Sequence, residues 1–526
     1  MRQDGDTDVN MGLAHWPADR SLSLPRETIG GLLRRNAERF ADRPAVLLVE
    51  GDAIVALSHA DLLARCENVA RWLAARCAPA DRVAVWSRNA LEAVILQHAC
   101  ALCGAIIAPF NTGWSDAETA HGLALTSPSL FVAGFDNRGN DLLPRAAALH
   151  DGALAPLADI AAIAAIPSSH PLPELTQDAP FLIQFTSGTT GKAKGALLSQ
   201  RAALLGGWLR TAIDGTDEND LWLNAVPYHH VGGSCAIILG ALSTASAFVV
   251  LERYDRDQLV ALMKRLKPTR MGGVPTMWHD ILASEDLPPP GTVRAVTLGG
   301  ASVPPSLVMT VRDKLGAHCV IGFGQSECTI ATGTRRGDPI EEICETVGRA
   351  MPHIELRIAT SDGATAKFGE VGEICVRGPT VMEGYWNDPQ ATAATIDADG
   401  YLHTGDLGEM DATGVVRIRG RLREVIIRGG ENIYPPEVEA ALLTHPAVAM
   451  VAVVGVDHER LGQEVGAVIQ LRPGTAASQD DLASHTSRHV AHFKLPRHWR
   501  YVEQMPLTVS GKVRKIELAA LFGPAA

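Results

Sequence analysis

Eleven consecutive residues, Phe185-Thr186-Ser187-Gly188-Thr189-Thr190-Gly191-Lys192-Ala193-Lys194-Gly195, hold four hydroxyl side chains, three glycines and two lysines. Glycines let a backbone approach a ligand closely, and consecutive amides in such a loop form a concave nest for anions. Hydroxyls add donors and lysines add charge, so the segment reads as a loop that grips phosphate. It follows Phe181-Leu182-Ile183-Gln184, an apolar run of strand length. A solvated surface loop is the plainer reading of a Gly/Ser/Thr stretch, and the density of donors argues against it here. Neither common nucleotide loop fits. G-x-x-x-x-G-K-S/T cannot be laid on the segment, because Ala193 and Ala196 stand where its second glycine would fall. The nearest G-x-G run, Gly322-Phe323-Gly324-Gln325-Ser326-Glu327, ends in an acid rather than a third glycine.

Further segments carry residue types suited to a nucleotide and an acid. Pro227-Tyr228-His229-His230-Val231-Gly232-Gly233 follows the apolar run Leu221-Trp222-Leu223, and its glycines suit a pocket wall. Leu298-Gly299-Gly300-Ala301-Ser302 ends a strand in two glycines, where parallel sheets place ligands. Tyr401-Leu402-His403-Thr404-Gly405-Asp406-Leu407-Gly408 offers a carboxylate able to accept two hydrogen bonds. Arg428-Gly429-Gly430-Glu431-Asn432-Ile433-Tyr434-Pro435 permits close approach of a thin ligand. Pro506-Leu507-Thr508-Val509-Ser510-Gly511-Lys512 puts a lysine on a glycine-containing loop, after Phe493-Lys494-Leu495-Pro496.

In this order, over residues 62–518, the segments resemble the adenylate-forming superfamily and, within it, the AMP-dependent acyl-CoA synthetase branch. The resemblance implies an ATP-dependent acid–thiol ligase that forms an acyl-adenylate and passes the acyl group to CoA. It places Thr186, Ser187, Gly188, Thr189, Thr190 and Lys194 on the ATP phosphates. Gly300, Ala301, Ser302, Gly322, Phe323, Gln325 and Ser326 would lie about the adenine, with Phe323 stacked on its face. Glu327 would hold Mg²⁺, Asp406 the ribose hydroxyls, and Ile418 and Arg421 the ribose and phosphate side. Lys512 would be the catalytic lysine, with Glu327, Thr186 and His230 beside it in the chemistry. His230, Val231, Gly322 and Gly324 would line the acid pocket, His229 being the weaker candidate of the histidine pair. Arg423 would be the hinge, and Gly429, Gly430 and Glu431 would meet CoA. Three positions depart from the family pattern: Ala193 replaces a usual proline, Ser326 a usual threonine, and Arg423 a usual aspartate or lysine.

Acetate-activating members carry a tryptophan at the position matching Gly324. A hydrogen there leaves the pocket floor open, so the expected acid is larger than propionate: aryl, alicyclic or medium-chain. Relatives that activate amino acids carry an aspartate near the histidine segment, and this chain has none there. Two rivals share the motifs, namely an adenylation enzyme that loads a carrier protein and a non-catalytic nucleotide-binding regulator.

At 526 residues the chain needs two or more cores. Its 46% hydrophobic content is that of a globular protein, and a net charge of −12 argues against nucleic acid or anionic membranes as partners. The opening residues lack the basic start and apolar core of a signal peptide. Residues 235–251 are the nearest approach to a membrane span, and their glycine and hydroxyls read better as a buried helix running into a strand. Nine scattered cysteines suit a reducing cytoplasm, and Cys100 and Cys103 fall in an apolar helical pattern rather than a redox site. A homodimer is left open.

Alternation of helical patterns (61–75, 91–104) with apolar strands (82–86, 105–109, 295–298, 319–321) predicts an α/β fold with largely parallel sheets. The expected layout is a flexible lead-in at 1–25, then a large domain at 26–420. That domain would hold doubly wound α/β subdomains and, beyond about 350, a small β-rich subdomain. A small mobile α+β domain follows at 421–526, hinged near Arg423.

Overall fold

The computed structural model describes residues 12–186, 193–301, 303–507 and 513–523. They fall into two compact units, one of Pro17–Leu356 with Val376–Leu402, the other of Met1–Trp16, Arg357–Cys375 and His403–Ala526.

The larger unit is α/β. Its nine-stranded sheet runs in the order Arg349–Ala350, Cys328–Gly333, His318–Gln325, Ala295–Leu298, Arg270–Gly273, Leu221–Asn224, Ala247–Val250, Pro44–Glu50, Ala53–Ser58. The central pairings are parallel, and antiparallel hairpins close both edges. Leu223, Met271 and Val296 from its strands pack against Trp278, Val308 and Val311 from the helices Pro275–Leu282 and Pro305–Leu315. A seven-stranded sheet runs Gly384–Tyr385, Lys194–Ser199, Pro180–Thr186, Ile106–Phe110, Arg82–Trp86, Leu130–Ala133, Leu154–Pro156. Its inner strands are parallel and nearly continuous in apolar residues, as strands buried on both faces must be. Cys100 and Cys103 lie in the buried helix Leu91–Cys103, where burial pushes the Cys103 thiol up to about 11 and leaves both inert.

Residues 232–251 hold a π-helix, Gly232–Leu239, a short α-helix, Gly240–Thr244, and the strand Ala247–Val250. No helix among the described residues is long and apolar enough to cross a membrane.

The smaller unit holds two further sheets. One runs His15–Trp16, Glu355–Ala359, Gly372–Arg377, Leu402–Met410, Val416–Arg421. Part of the segment expected to be a loose lead-in is therefore structured. Ala14 is fully buried and its amide donates to Ala366 O at 2.8 Å, because Leu13-Ala14-His15-Trp16 is apolar enough to add an edge strand. The other sheet joins Glu431–Ile433, Ile426–Arg428, Gly462–Leu471, Val448–His458 and, beside Gly462–Leu471, His498–Tyr501, with the helices Pro435–Leu443 and Gln479–Thr486. Val438, Leu442, Val453, Ala467 and Leu482 form its core.

Candidate active site

In the larger unit the site is built from two hairpins. Strands Pro180–Thr186 and Lys194–Ser199 pair antiparallel, and Thr186 faces Lys194 at the open end. The intervening Ser187, Gly188, Thr189 and Thr190, like Ser302 and Lys512, lie outside the described residues. The second hairpin joins His318–Gln325 to Cys328–Gly333 through a two-residue turn, Ser326-Glu327. The turn is tied to the first hairpin by Ser326 Oγ, which donates to Phe185 O at 3.4 Å. Met382 N–H donates to Glu327 O at 2.8 Å.

Tyr385 closes the arrangement. Its short strand pairs with Lys194–Ser199, its hydroxyl donates to Glu327 Oε1 at 2.8 Å, and Lys194 Nζ stands 4.7 Å from its ring centroid. An acid, a phenol and an amine from distant parts of the sequence thus meet beside the open end of the first hairpin. Oε2 of Glu327 accepts no hydrogen bond from the described residues. Such a half-buried hard oxygen donor suits Mg²⁺.

Adjacent strand ends carry the adenine candidates. Leu298 pairs with Ile321, and a Cβ on Gly299 would stand 3.3 Å from Gly322 O. Gly300 has φ +77°, a left-handed turn that glycine adopts freely, and leaves Ala301 exposed. Phe323 and Gln325 are half-buried across from Thr332 and Cys328. Between them Gly324 sits at a register irregularity, where a Cβ would stand 2.8 Å from Thr329 O and 3.0 Å from Cys328 O. Its missing side chain is thus demanded by the hairpin's own backbone. A Cβ on Gly322 would stand 2.8 Å from Arg210 Nη1.

The histidine pair precedes the π-helix, a form often found at functional sites. Gln184 Nε2 donates to His229 O at 2.6 Å and Ser234 Oγ to His230 O at 3.2 Å, holding the bend. His230 Nδ1 accepts the Gly232 amide at 3.1 Å, and Val231 is buried. Burial lowers His229 to about 4, so it is neutral at physiological pH.

In the smaller unit Asp406 and Arg421 face each other across strands Leu402–Met410 and Val416–Arg421, joined by an ion pair of 3.0 Å from Arg421 Nε to Asp406 Oδ1. Ile418 lies opposite Gly408 on the same ladder. The turn before Asp406 is clamped by Glu373, whose carboxylate meets His403 Nδ1 at 2.8 Å and accepts the Gly405 amide at 2.9 Å. Cys375 Sγ lies 3.5 Å from the same nitrogen, making a close Glu–Cys–His group. Arg423 is exposed on the one-turn helix Leu422–Glu424. Gly429 and Gly430, at φ +59° and +91°, form the two-residue tip between Ile426–Arg428 and Glu431–Ile433, and Glu431 is exposed. Two positive φ values are what a type I′ hairpin turn requires. Arg428 anchors its base by a 2.7 Å ion pair to Glu464; burial would raise that carboxyl, but the guanidinium holds it below the usual range.

Sequence reasoning missed Tyr385, Glu373 and Arg210. Nothing local marks the first two. Arg210 had a signal, a lone charge on the buried face of a helix that also carries Gly206-Gly207.

One hairpin carrying Lys194, a second carrying Glu327, and glycine-ended parallel strands beside them suit a nucleotide-dependent, acid-activating enzyme. Residues 33–386 match the family described as AMP-binding enzyme, and 437–512 match the AMP-binding enzyme C-terminal domain. The chain belongs to this adenylate-forming family, in its acyl-CoA synthetase branch. It is 33% identical to a methyl-dioxo-octahydroindenyl-propanoyl CoA ligase of Rhodococcus jostii (strain RHA1), over 93% of this chain and 97% of that protein. The mitochondrial medium-chain acyl-CoA ligase ACSF2 of Rattus norvegicus is 30% identical over 96% and 89%. The crystal structure of ATP-bound MatB from Rhodopseudomonas palustris superposes with a TM-score of 0.85 at 28% identity, covering 94% of this chain and 99% of that one.

Proposed function

We propose that the chain is an ATP-dependent, AMP-forming carboxylate–CoA ligase acting on an acid larger than propionate. The observation that carries this reading is the Glu327–Tyr385–Lys194 group beside the ends of a phosphate-type loop, in a chain of the AMP-binding family. Relatives named for a medium-chain acid and for a bicyclic propanoic acid support a substrate of that size.

In the first half-reaction a carboxylate oxygen of the acid attacks the α-phosphorus of ATP. The bond to the bridging oxygen breaks and pyrophosphate leaves. The protein's part is to position the reactants and to offset charge on the phosphates, a task for Lys194, the 187–190 donors and Lys512. Glu327 is the residue that would hold Mg²⁺, which when bound neutralises phosphate charge. Asp406 would accept the ribose hydroxyls while Arg421 steadies its carboxylate. In the second half-reaction the CoA sulfur attacks the acyl carbon, the bond to AMP breaks, and the Gly429-Gly430 tip borders the thiol's path. Rotation near Arg423 would exchange Lys512 for that tip, a gating step of the kind that completes a site by closure. We place the enzyme in the cytoplasm.

The test is release of pyrophosphate and formation of acyl-CoA across acids of graded size. Lys512→Ala should lower the adenylation rate by about 10²-fold or more and affect thioester formation from supplied acyl-adenylate far less. Equal loss in both halves would refute the alternation. Acyl transfer to a carrier protein but not to CoA would refute the acceptor.

A further inference from the structure

Arg210 sits near the end of the helix Gln200–Asp214, which Ser199 caps at its start and Gly215 ends in a left-handed turn. One turn earlier, Gly206 and Gly207 bring this helix unusually close to its neighbours. A Cβ on Gly207 would stand 2.6 Å from Cys235 O, and one on Gly206 would stand 2.6 Å from the Thr329 side chain. The helix is thereby wedged between the π-helix Gly232–Leu239 and the strand Cys328–Gly333. Arg210 emerges in that gap.

Two of its nitrogens are engaged by backbone. Nε donates to Gly206 O at 3.1 Å and Nη2 to Thr329 O at 3.2 Å. Nη1 donates to none of the described residues, and it is the atom that a Cβ on Gly322 would meet. No carboxylate among the described residues pairs with the guanidinium. The thiols of Cys235 and Cys328 act on it electrostatically, and burial pushes them up to about 12 and about 11, so both are neutral. Desolvation lowers Arg210 itself to about 10, which leaves it charged near neutral pH. Yet Arg210 and Gly322 each keep some accessible surface.

A cation taken out of water without a counter-ion is costly. Tying a helix to a hairpin through two carbonyl oxygens needs no charge, and a neutral amide would do it more cheaply. The arrangement is accounted for if a ligand brings the anion, and a planar guanidinium matches a carboxylate in both shape and charge. We propose that Arg210 receives a second carboxylate, at the end of the acid away from the one activated. The substrate is then a dicarboxylic acid, converted to its mono-CoA thioester. This rests on the ligase reading and on Gly322 bordering the acid pocket.

Matched acids test it with the full-length enzyme: suberate against octanoate, cyclohexane-1,4-dicarboxylate against cyclohexanecarboxylate, terephthalate against benzoate. The readouts are pyrophosphate release and, separately, calorimetric binding of each acid. In at least one pair kcat/KM should favour the diacid by about 10⁴-fold or more, the scale on which a site built for a polar group rejects the analogue lacking it. Arg210→Gln should bring that ratio below one, and Arg210→Lys should fall between. A wild type that prefers the monoacid in every pair, or a ratio unchanged in Arg210→Gln, overturns the proposal while the ligase reading stands. If no acid yields pyrophosphate the ligase reading falls, and binding decides alone. Diacid binding that Arg210→Gln abolishes supports the assignment; binding equal in both proteins, or absent from the wild type, overturns it.

Discussion

The Tyr385 hydroxyl and the Glu327 carboxylate meet at 2.8 Å, joining the edge of one sheet to a hairpin turn of the other. Burial, reinforced by the charge of Glu327, raises the phenol above its ordinary range, so Tyr385 remains a donor at any physiological pH. Its bond orients one carboxylate oxygen, while the other accepts no hydrogen bond from the described residues.

Tyr385→Phe keeps the ring beneath Lys194 and deletes only this bond. Hydrogen bonds to charged groups contribute about 1.5–3 kcal/mol, so kcat/KM for ATP should fall about 10- to 100-fold. The loss should be greatest at limiting Mg²⁺, with Tm little changed. Kinetics across a Mg²⁺ titration measure it. Parallel curves for both proteins at every Mg²⁺ level would mean that the hydroxyl does not orient a metal ligand.

Gly324→Ala puts a methyl where Thr329 O stands 2.8 Å away, in backbone that cannot swing aside. Overpacking of this kind costs about 1–3 kcal/mol. The hairpin that carries Phe323 and Glu327 should shift, so a lower Tm should accompany slower pyrophosphate release. Wild-type stability and rate would show that the bulge relaxes freely.

Much of the fold is legible in short apolar runs. Arg82–Trp86, Ala295–Leu298 and the helix Pro435–Leu443 lie where period and composition predict them, because strands buried on both faces and amphipathic helices leave strong local patterns. The run Cys319-Val320-Ile321 is only the start of the strand His318–Gln325. Its extension depends on pairing with Cys328–Gly333, a contact that no local period encodes. The π-helix after His230 has the same cause: Gly207 admits it by close packing, and composition alone suggested an ordinary helix.

The site divides along similar lines. Glu327, Asp406 and the Gly429-Gly430 tip announce themselves by residue type within a short motif. Tyr385 does not, since its role arises only when an edge strand pairs with Lys194–Ser199. Gly324 shows a related limit, since the hairpin's own backbone stands where its side chain would go. A glycine is silent about whether a ligand or the chain's own backbone fills the place of its missing side chain.

Gly430→Ala tests the proposed CoA step. Nothing lies within 4 Å of an added Cβ, so the penalty comes from φ +91° alone. A non-glycine residue held in such a region costs about 1–3 kcal/mol, which should distort the tip. Thioester formation should slow more than pyrophosphate release, as single-turnover assays of each half can read. A variant impaired equally in both would remove the tip from the second half-reaction.

His98 makes folding stability depend on acid. It is buried within the helix Leu91–Cys103, its Nδ1 has no hydrogen-bond partner among the described residues, and burial lowers it to about 4. Unfolded, the imidazole titrates near about 6.5. Between these values the unfolded chain takes up a proton that the native chain refuses, so stability falls as pH drops from 6.5 to 4. The full shift corresponds to about 3 kcal/mol, and His229, also lowered to about 4, adds to it. Urea unfolding of wild type and His98→Leu at pH 7 and pH 4.5 isolates the contribution, since carboxylate effects common to both proteins cancel. The wild type should lose more stability than the variant between the two pH values. Equal losses would mean that His98 accepts a proton in the folded state as easily as in water.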